Sequence, residues 1–386
     1  QQYQRLLAKD TLDIASASLL ASTANYVTNY DRDASTADKI QVIDEALAKI
    51  RAAGEQVPAS MSTALISSKV RLLVSDGKAE AAKQLLDEQV AVARGEVDVA
   101  SVGTVQQFLG LASTYGSALA NDFPEAVEQL QAEAEALALK LLDKEDAGVS
   151  EFLPYYNLKA GIASRLTYTD PKQALAVVGD IEQRLEALKE GMEEAEAAKL
   201  ARYESSLKST RSRIETAVAR EELIGTTAPE LDAAHFVAMA PTSMGDLKGK
   251  VVLIDFWAVW CGPCIATFPH LIEWHEKYAD QGLEIIGVTN FYGYTWNEDA
   301  GRAMRGEEVS EEDELAMLDK FRDAYDLQHG FVVTPKGSEY AKTLMVSGIP
   351  QAVLIDKEGK IRMIRVGSGE ANAKALEGMI EELLAR

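Results

Sequence analysis

Cys261 and Cys264 are the only cysteines in 386 residues, and they sit where one hydrophobic pattern gives way to another. Before them runs Val251-Val252-Leu253-Ile254-Asp255-Phe256, an apolar, β-branched segment of strand length. After them Ile265, Phe268, Leu271, Ile272, Trp274 and Tyr278 recur at helical spacing, which predicts a helix over 265–280. A Cys-x-x-Cys at the turn from a buried strand into a helix demands an α/β unit around it. Two cysteines this close in sequence cannot staple a fold, so the domains hold themselves by core burial and the thiols are left for chemistry.

Cys261 falls at or just before the first helical turn, where unpaired backbone N–H groups and the positive end of the helix dipole favour an anion. A thiolate is the anion on offer, so a depressed pKa and raised reactivity are expected of Cys261. Pro263 suits the first turn, where its missing N–H costs nothing. Cys264, one turn deeper, can reach Cys261 to close a disulfide, and such a pair exchanges two electrons with other thiols and disulfides.

A length of 386 residues allows two or three domains, and 47% hydrophobic with 26% charged residues is a globular composition. The formal net charge of -22 argues against a nucleic-acid partner and against attraction to anionic lipid; its plain meaning is solubility. No apolar run approaches the roughly 18 residues of a membrane span, so no integral membrane segment is expected. No signal peptide is visible, and a start at Gln1 rather than Met predicts a processed or trimmed N-terminus.

Residues 1–222 read as helix almost throughout, rich in Ala, Leu, Glu, Lys and Gln. Breaks are expected at Asp31-Arg32-Asp33, Gln56-Val57-Pro58, Ser75-Asp76-Gly77, Asp122-Phe123-Pro124, Asp146-Ala147-Gly148 and Thr169-Asp170-Pro171. Ile40, Val42, Ile43, Ala46, Leu47 and Ile50 form one apolar stripe; Ala82, Leu85, Leu86, Val90 and Val92 form another. Short connections between such helices predict an all-α array of antiparallel hairpins, without a clean repeat signature. The charged segment 180–224 reads as a helix pair hinged near Gly191.

Beyond about residue 222 the chain is richer in Gly, aromatic and β-branched residues, which places a second domain at 223–386. Strands are expected at 236–239, 251–257, 283–289, 331–333, 352–356 and 361–366, with helices at 310–325, 338–344 and 371–384. Helix between the strands at 251 and 283 predicts a right-handed βαβ unit. An acidic excursion, 290–329, opens with Phe291-Tyr292-Gly293-Tyr294-Thr295-Trp296.

From about Gly225 onward the chain resembles the thioredoxin superfamily, and within it the extracytoplasmic thiol-disulfide oxidoreductases of the TlpA/ResA type. The blocks that carry the resemblance are 247–264, ending in Trp260-Cys261-Gly262-Pro263-Cys264, then Val346-Ser347-Gly348-Ile349-Pro350, then 353–361. The resemblance implies an α/β thioredoxin-like domain with an insertion and a cis peptide at Ile349–Pro350. It implies that Cys261 attacks, that Cys264 resolves, and that Asp255 beneath the pair takes the proton of Cys264. A buried carboxyl suits that exchange, and the competing reading of Asp255 is a purely structural acid. Ile349 would hydrogen-bond an extended substrate chain and Pro350 would keep metal ions and unwanted partners off the thiols. Trp260, Gly262 and Pro263 would form the docking surface. The implied partners are protein disulfides or dithiols and a redox partner protein, with no bound cofactor or metal, on the extracytoplasmic side of a membrane. Ile265 and Gln351 depart from the family pattern, the first by removing a nearby positive charge, which leaves the direction of electron flow open. The acidic insertion is also a source for a second acid, with no residue assigned.

Other readings compete. A zinc site would need two further ligands, and only His270 and His275 are near, at unsuitable spacing; both read as surface residues of the helix. A peroxidase would need one peroxidatic cysteine with a Thr and an Arg beside it, and a dithiol is the wrong tool. Phe291, Tyr292, Tyr294 and Trp296 either roof the site or merely anchor the excursion. Residues 1–222 hold no catalytic constellation and read as a surface for partner binding or dimerisation, or as a spacer. The reading of a different class is a client-binding helical scaffold with a slow or vestigial redox module.

Overall fold

The computed structural model describes residues 2–31, 34–53, 60–190 and 192–386. Arg32, Asp33, the break expected at 56–58 and the hinge expected at Gly191 lie outside the described residues. The chain forms two compact units, Gln1–Arg211 and Ser212–Arg386.

The first unit is helical. Its helices are α1 (Gln2–Leu7), α2 (Ile14–Tyr30), α3 (Thr36–Ala52), α4 (Ser60–Ser75), α5 (Ala79–Glu96), α6 (Val102–Leu119), α7 (Pro124–Leu142), α8 (Val149–Leu166), α9 (Pro171–Lys189) and the single turn α10 (Glu194–Ala197). A further helix, α11 (Ala201–Leu223), begins in this unit and ends in the next. From α2 to α9 each helix packs on its successor, and α2, α4, α6 and α8 also pack on one another in turn, which is the pattern of a hairpin array.

Local chemistry sets the helix ends. Asp13 accepts from the Ser16 N–H, Ser35 and Asp38 form a reciprocal capping box, and Asp170 accepts from the Gln173 N–H beside Pro171. Two breaks without Pro or Gly escape the sequence reading, at 8–13 and 97–101. At the second, the Asp98 carboxylate accepts from Ala100 N–H and Thr104 Oγ1 accepts from Asp98 N–H, so side chains replace the helical bonds. Val92 is 59% exposed: the buried stripe of α5 is Ala82, Leu86, Val90 and Ala93, and Val92 turns away from it.

The second unit is a six-stranded sheet between two apolar layers. Its elements are β1 (His235–Val237), β2 (Val251–Phe256), α12 (Gly262–Ile265), α13 (Phe268–Tyr278), β3 (Leu283–Thr289), β4 (Tyr294–Asn297), β5 (Arg302–Arg305), α14 (Glu311–Ala324), β6 (Gly330–Val333), α15 (Tyr340–Thr343), β7 (Gln351–Ile355), β8 (Ile361–Val366) and α16 (Glu370–Ala385). Strand order is β1-β6-β3-β2-β7-β8, with β2, β3 and β6 parallel and the others antiparallel to their neighbours. The C-terminal end of α11 belongs here: Arg220 donates to Met345 O at 2.9 Å and to Ser347 Oγ.

Strand alternation sorts β2 between the layers. Val251, Leu253 and, just past the strand, Trp257 join one core, whereas Val252, Ile254 and Phe256 join the other. Gly287 lies opposite Asp255 in β3, and a Cβ there would sit 2.7 Å from Trp257 Nε1 and 2.8 Å from Phe331 Cδ1. Only glycine at 287 leaves room for Trp257 and Phe331 to come this close to the strand.

Two expectations are corrected. The helix over 265–280 is broken into α12 and α13, because Pro269 has no N–H to offer the Ile265 carbonyl. The aromatic run opens an unforeseen hairpin, β4–β5, that packs on α14.

Candidate active site

The two sulfurs are joined as a Cys261–Cys264 disulfide with Cα atoms 5.2 Å apart. Cys261 is the N-cap of α12, and its Sγ accepts from Cys264 N–H at 3.2 Å. Pro263 lies in the first turn, as its chemistry requires. Gly262 and Pro263 are exposed, Trp260 is 52% exposed, and Cys264 is sealed. Cys261 itself is only 4% exposed, less open than an anion facing solvent, and Ile349 and the aromatic loop pack on the cluster to which it belongs.

The Ile349–Pro350 peptide is cis. Pro350 is buried, its carbonyl accepting from Gly367 N–H at 2.9 Å, and Ile349 packs against the cluster that holds both cysteines. Among the described residues neither the N–H nor the C=O of Ile349 has a backbone partner. Gln351, wholly buried, donates to Leu344 O at 2.8 Å and so ties this loop to the end of α15.

Asp255 is 3% exposed and has the strand parity of Leu253 and Trp257, so its carboxyl projects to the cysteine side of the sheet. Burial raises it from the ordinary 3.8 to about 7, and its Oδ2 is without a hydrogen-bond partner among the described residues. It lines a cleft with Thr267, His270, Pro350, Arg365 and Asn372.

Residues 224–380 match the family model described as Redoxin. This part of the chain is a Redoxin domain. The chain is 32% identical over 138 residues to a thiol-disulfide oxidoreductase ResA of Bacillus cereus, covering 36% of this chain and 66% of that protein, just under two thirds of its length. It is 28% identical over 151 residues to the protein DipZ of Mycobacterium bovis, covering 37% of this chain and 18% of that one. Among solved structures, a thiol-disulfide isomerase from Corynebacterium glutamicum shares 21% identity at a TM-score of 0.33, covering 41% of this chain and 97% of the other.

In the Redoxin domain the aromatic run packs on the core beside the motif. Phe291, Tyr292, Tyr294 and Trp296 all pack on the cluster that holds the cysteines, and the Tyr292 ring meets Trp260 edge-on at 5.5 Å. One acid of the insertion is buried, Glu314, and it is occupied by backbone N–H groups. Neither histidine of α13 is simply a surface residue. His270 faces Glu370 at 3.7 Å and lines the Asp255 cleft, and His275 has a buried Nδ1. His329 is driven down to about 3, first by burial and then by its electrostatic interaction with His275 and Arg322. Among the described residues no group of three or more His, Cys, Asp or Glu converges as a metal site.

Sequence reasoning missed Glu314 and the cleft role of His270, and it marked Gln351 only as a departure from the family pattern without its bond to Leu344 O. Glu314 carries one readable signal: an acid at an otherwise apolar position, one helical turn before Met317 and Leu318, which are both buried.

Proposed function

We propose that this chain is a protein thiol-disulfide oxidoreductase, with residues 223–386 as its redox domain and 1–222 as a helical domain that serves as an adaptor for a partner or for dimerisation. The observation that carries the reading is the Cys261–Cys264 disulfide, capping α12 and packed in one cluster with Ile349 beside the cis proline.

The cycle follows from these groups. In the dithiol form the Cys261 thiolate attacks one sulfur of a client disulfide, forming a mixed disulfide and releasing the other client sulfur as a thiolate. Asp255 takes the proton of Cys264, whose thiolate attacks Cys261 Sγ. The Cys261–Cys264 bond forms, the client leaves as a dithiol once protonated, and two electrons have passed to it. The reverse sequence oxidises a client dithiol, and a redox partner protein resets the pair. Trp260, Gly262 and Pro263 surround the attacked sulfur as docking surface, Ile349 offers its free backbone groups to the client chain, and Pro350 shields the pair. The resemblance to the TlpA/ResA type supports an extracytoplasmic site of action, and among the described residues no helix is long and apolar enough to cross a membrane.

The small exposure of Cys261 favours the second reading, a client-binding scaffold with a slow redox module. One experiment separates them. Cys264→Ser is expected to accumulate mixed disulfides with an unfolded disulfide-bonded protein, and Cys261→Ser to abolish turnover without trapping. Trapping by neither variant, with unimpaired client binding, would establish the scaffold instead. A reduction potential near about -270 mV would mark the pair as a reductant and one near about -120 mV as an oxidant.

A further inference from the structure

We propose that Glu314 is a positioning residue for client docking: its carboxylate holds the loop 292–294 in the shape that sets Tyr292 against Trp260. This rests on the reading of Trp260 as docking surface in a disulfide exchanger.

Glu314 is 2% exposed, yet it carries a carboxylate in the first turns of α14. A buried acid needs compensation, and here three consecutive backbone donors supply it. Glu314 Oε1 accepts from Tyr292 N–H at 2.7 Å and Tyr294 N–H at 3.2 Å, and Oε2 accepts from Gly293 N–H at 2.9 Å. Successive N–H groups converge only where the backbone folds into a concavity, and Gly293 provides it with φ +75°. The concavity is an anion cradle, and its occupant comes from the same chain. Gly306 N–H donates to Gly293 O at 2.9 Å, so the β4–β5 hairpin closes on the same residue.

The cradle directs the rings. With the backbone of 292–294 pinned, Tyr292 meets Trp260 edge-on at 5.5 Å, immediately before Cys261 in the chain. Without a carboxylate at 314, three half-buried backbone donors lose the acceptor that holds them together, and the loop must move to pair them with water. Glu314 is thereby the insertion's buried acid, and it acts on the docking face rather than on protons.

The test uses the full chain, with insulin as the protein disulfide and 5,5'-dithiobis(2-nitrobenzoate) as a small one. Glu314→Gln is expected to raise KM for insulin roughly tenfold while kcat and the rate with the small disulfide stay within about twofold. Tyr292→Ala should raise KM similarly, and the double variant should rise no further than either single one. An unchanged KM in Glu314→Gln, or single effects that multiply in the double variant, would overturn the proposal. Should Glu314→Gln not fold, Glu314→Asp replaces it: the shortened carboxylate cannot meet all three donors, so KM must still rise at constant kcat, and an unchanged KM refutes the role. A native chain that neither reduces insulin disulfides nor oxidises reduced insulin removes the oxidoreductase reading itself, whereas an active native chain with unaltered Glu314 variants removes only this inference.

Discussion

Asp255 couples chemistry to stability. Its folded pKa, about 7, stands above the ordinary 3.8, so between these values the folded chain keeps a proton that the unfolded chain releases. The favourable contribution is complete below about 3.8 and is lost as pH rises through 7, at about 1.4 kcal/mol per pH unit and about 4 kcal/mol in all. Asp255→Asn removes that loss. Urea midpoints should show the variant more stable than the native chain at pH 8, with the advantage gone at pH 4. Its turnover should fall by at least about tenfold, since Cys264 loses its base. Equal stability at the two pH values would mean that the carboxyl is solvated. Buried acids that take part in proton exchange commonly trade stability in this way.

At the scale of elements, the junction between β2 and α12 is built on close approach. Trp257 packs between Phe321 at 5.2 Å and Phe331 at 4.8 Å, above Gly287 of the neighbouring strand. Gly287→Ala forces a methyl into buried rings that have nowhere to turn. It should cost about 1–3 kcal/mol in chemical denaturation. The break between α12 and α13 belongs to this scale as well. The apolar periodicity of 265–280 is real, and it located the right face: Phe268, Leu271, Trp274 and Tyr278 are buried. It could not register one missing hydrogen bond at Pro269, which leaves the side-chain pattern intact and shortens the helix that Cys261 caps.

For the whole molecule, the compact units divide at Arg211/Ser212, whereas the composition changes near residue 222. The difference lies in the last turns of α11, whose sequence is helical like the first unit but whose Arg220 bonds to the loop before Ile349. A chain starting at Ser212 should therefore be more stable than one starting at Leu223, by about 1–3 kcal/mol in urea. If the shorter chain matches the longer one, those bonds are dispensable. Comparing either with the full chain on insulin and on a natural client would show whether the helical domain contributes recognition.

What could be read directly was local: the strand and turn around Cys261 and Cys264 and the capped helices of residues 1–222, whereas the Ile349–Pro350 loop was legible only through the family resemblance. The local features are written in periodicity and in residues with strong conformational preferences, so a short window suffices. The unpaired Oδ2 of Asp255, the small exposure of Cys261 and the grip of Glu314 on residues 292–294 were settled only by tertiary structure. They depend on side chains meeting backbone and core from distant parts of the chain, and no local pattern records which partner a carboxylate will find once the sheet has closed.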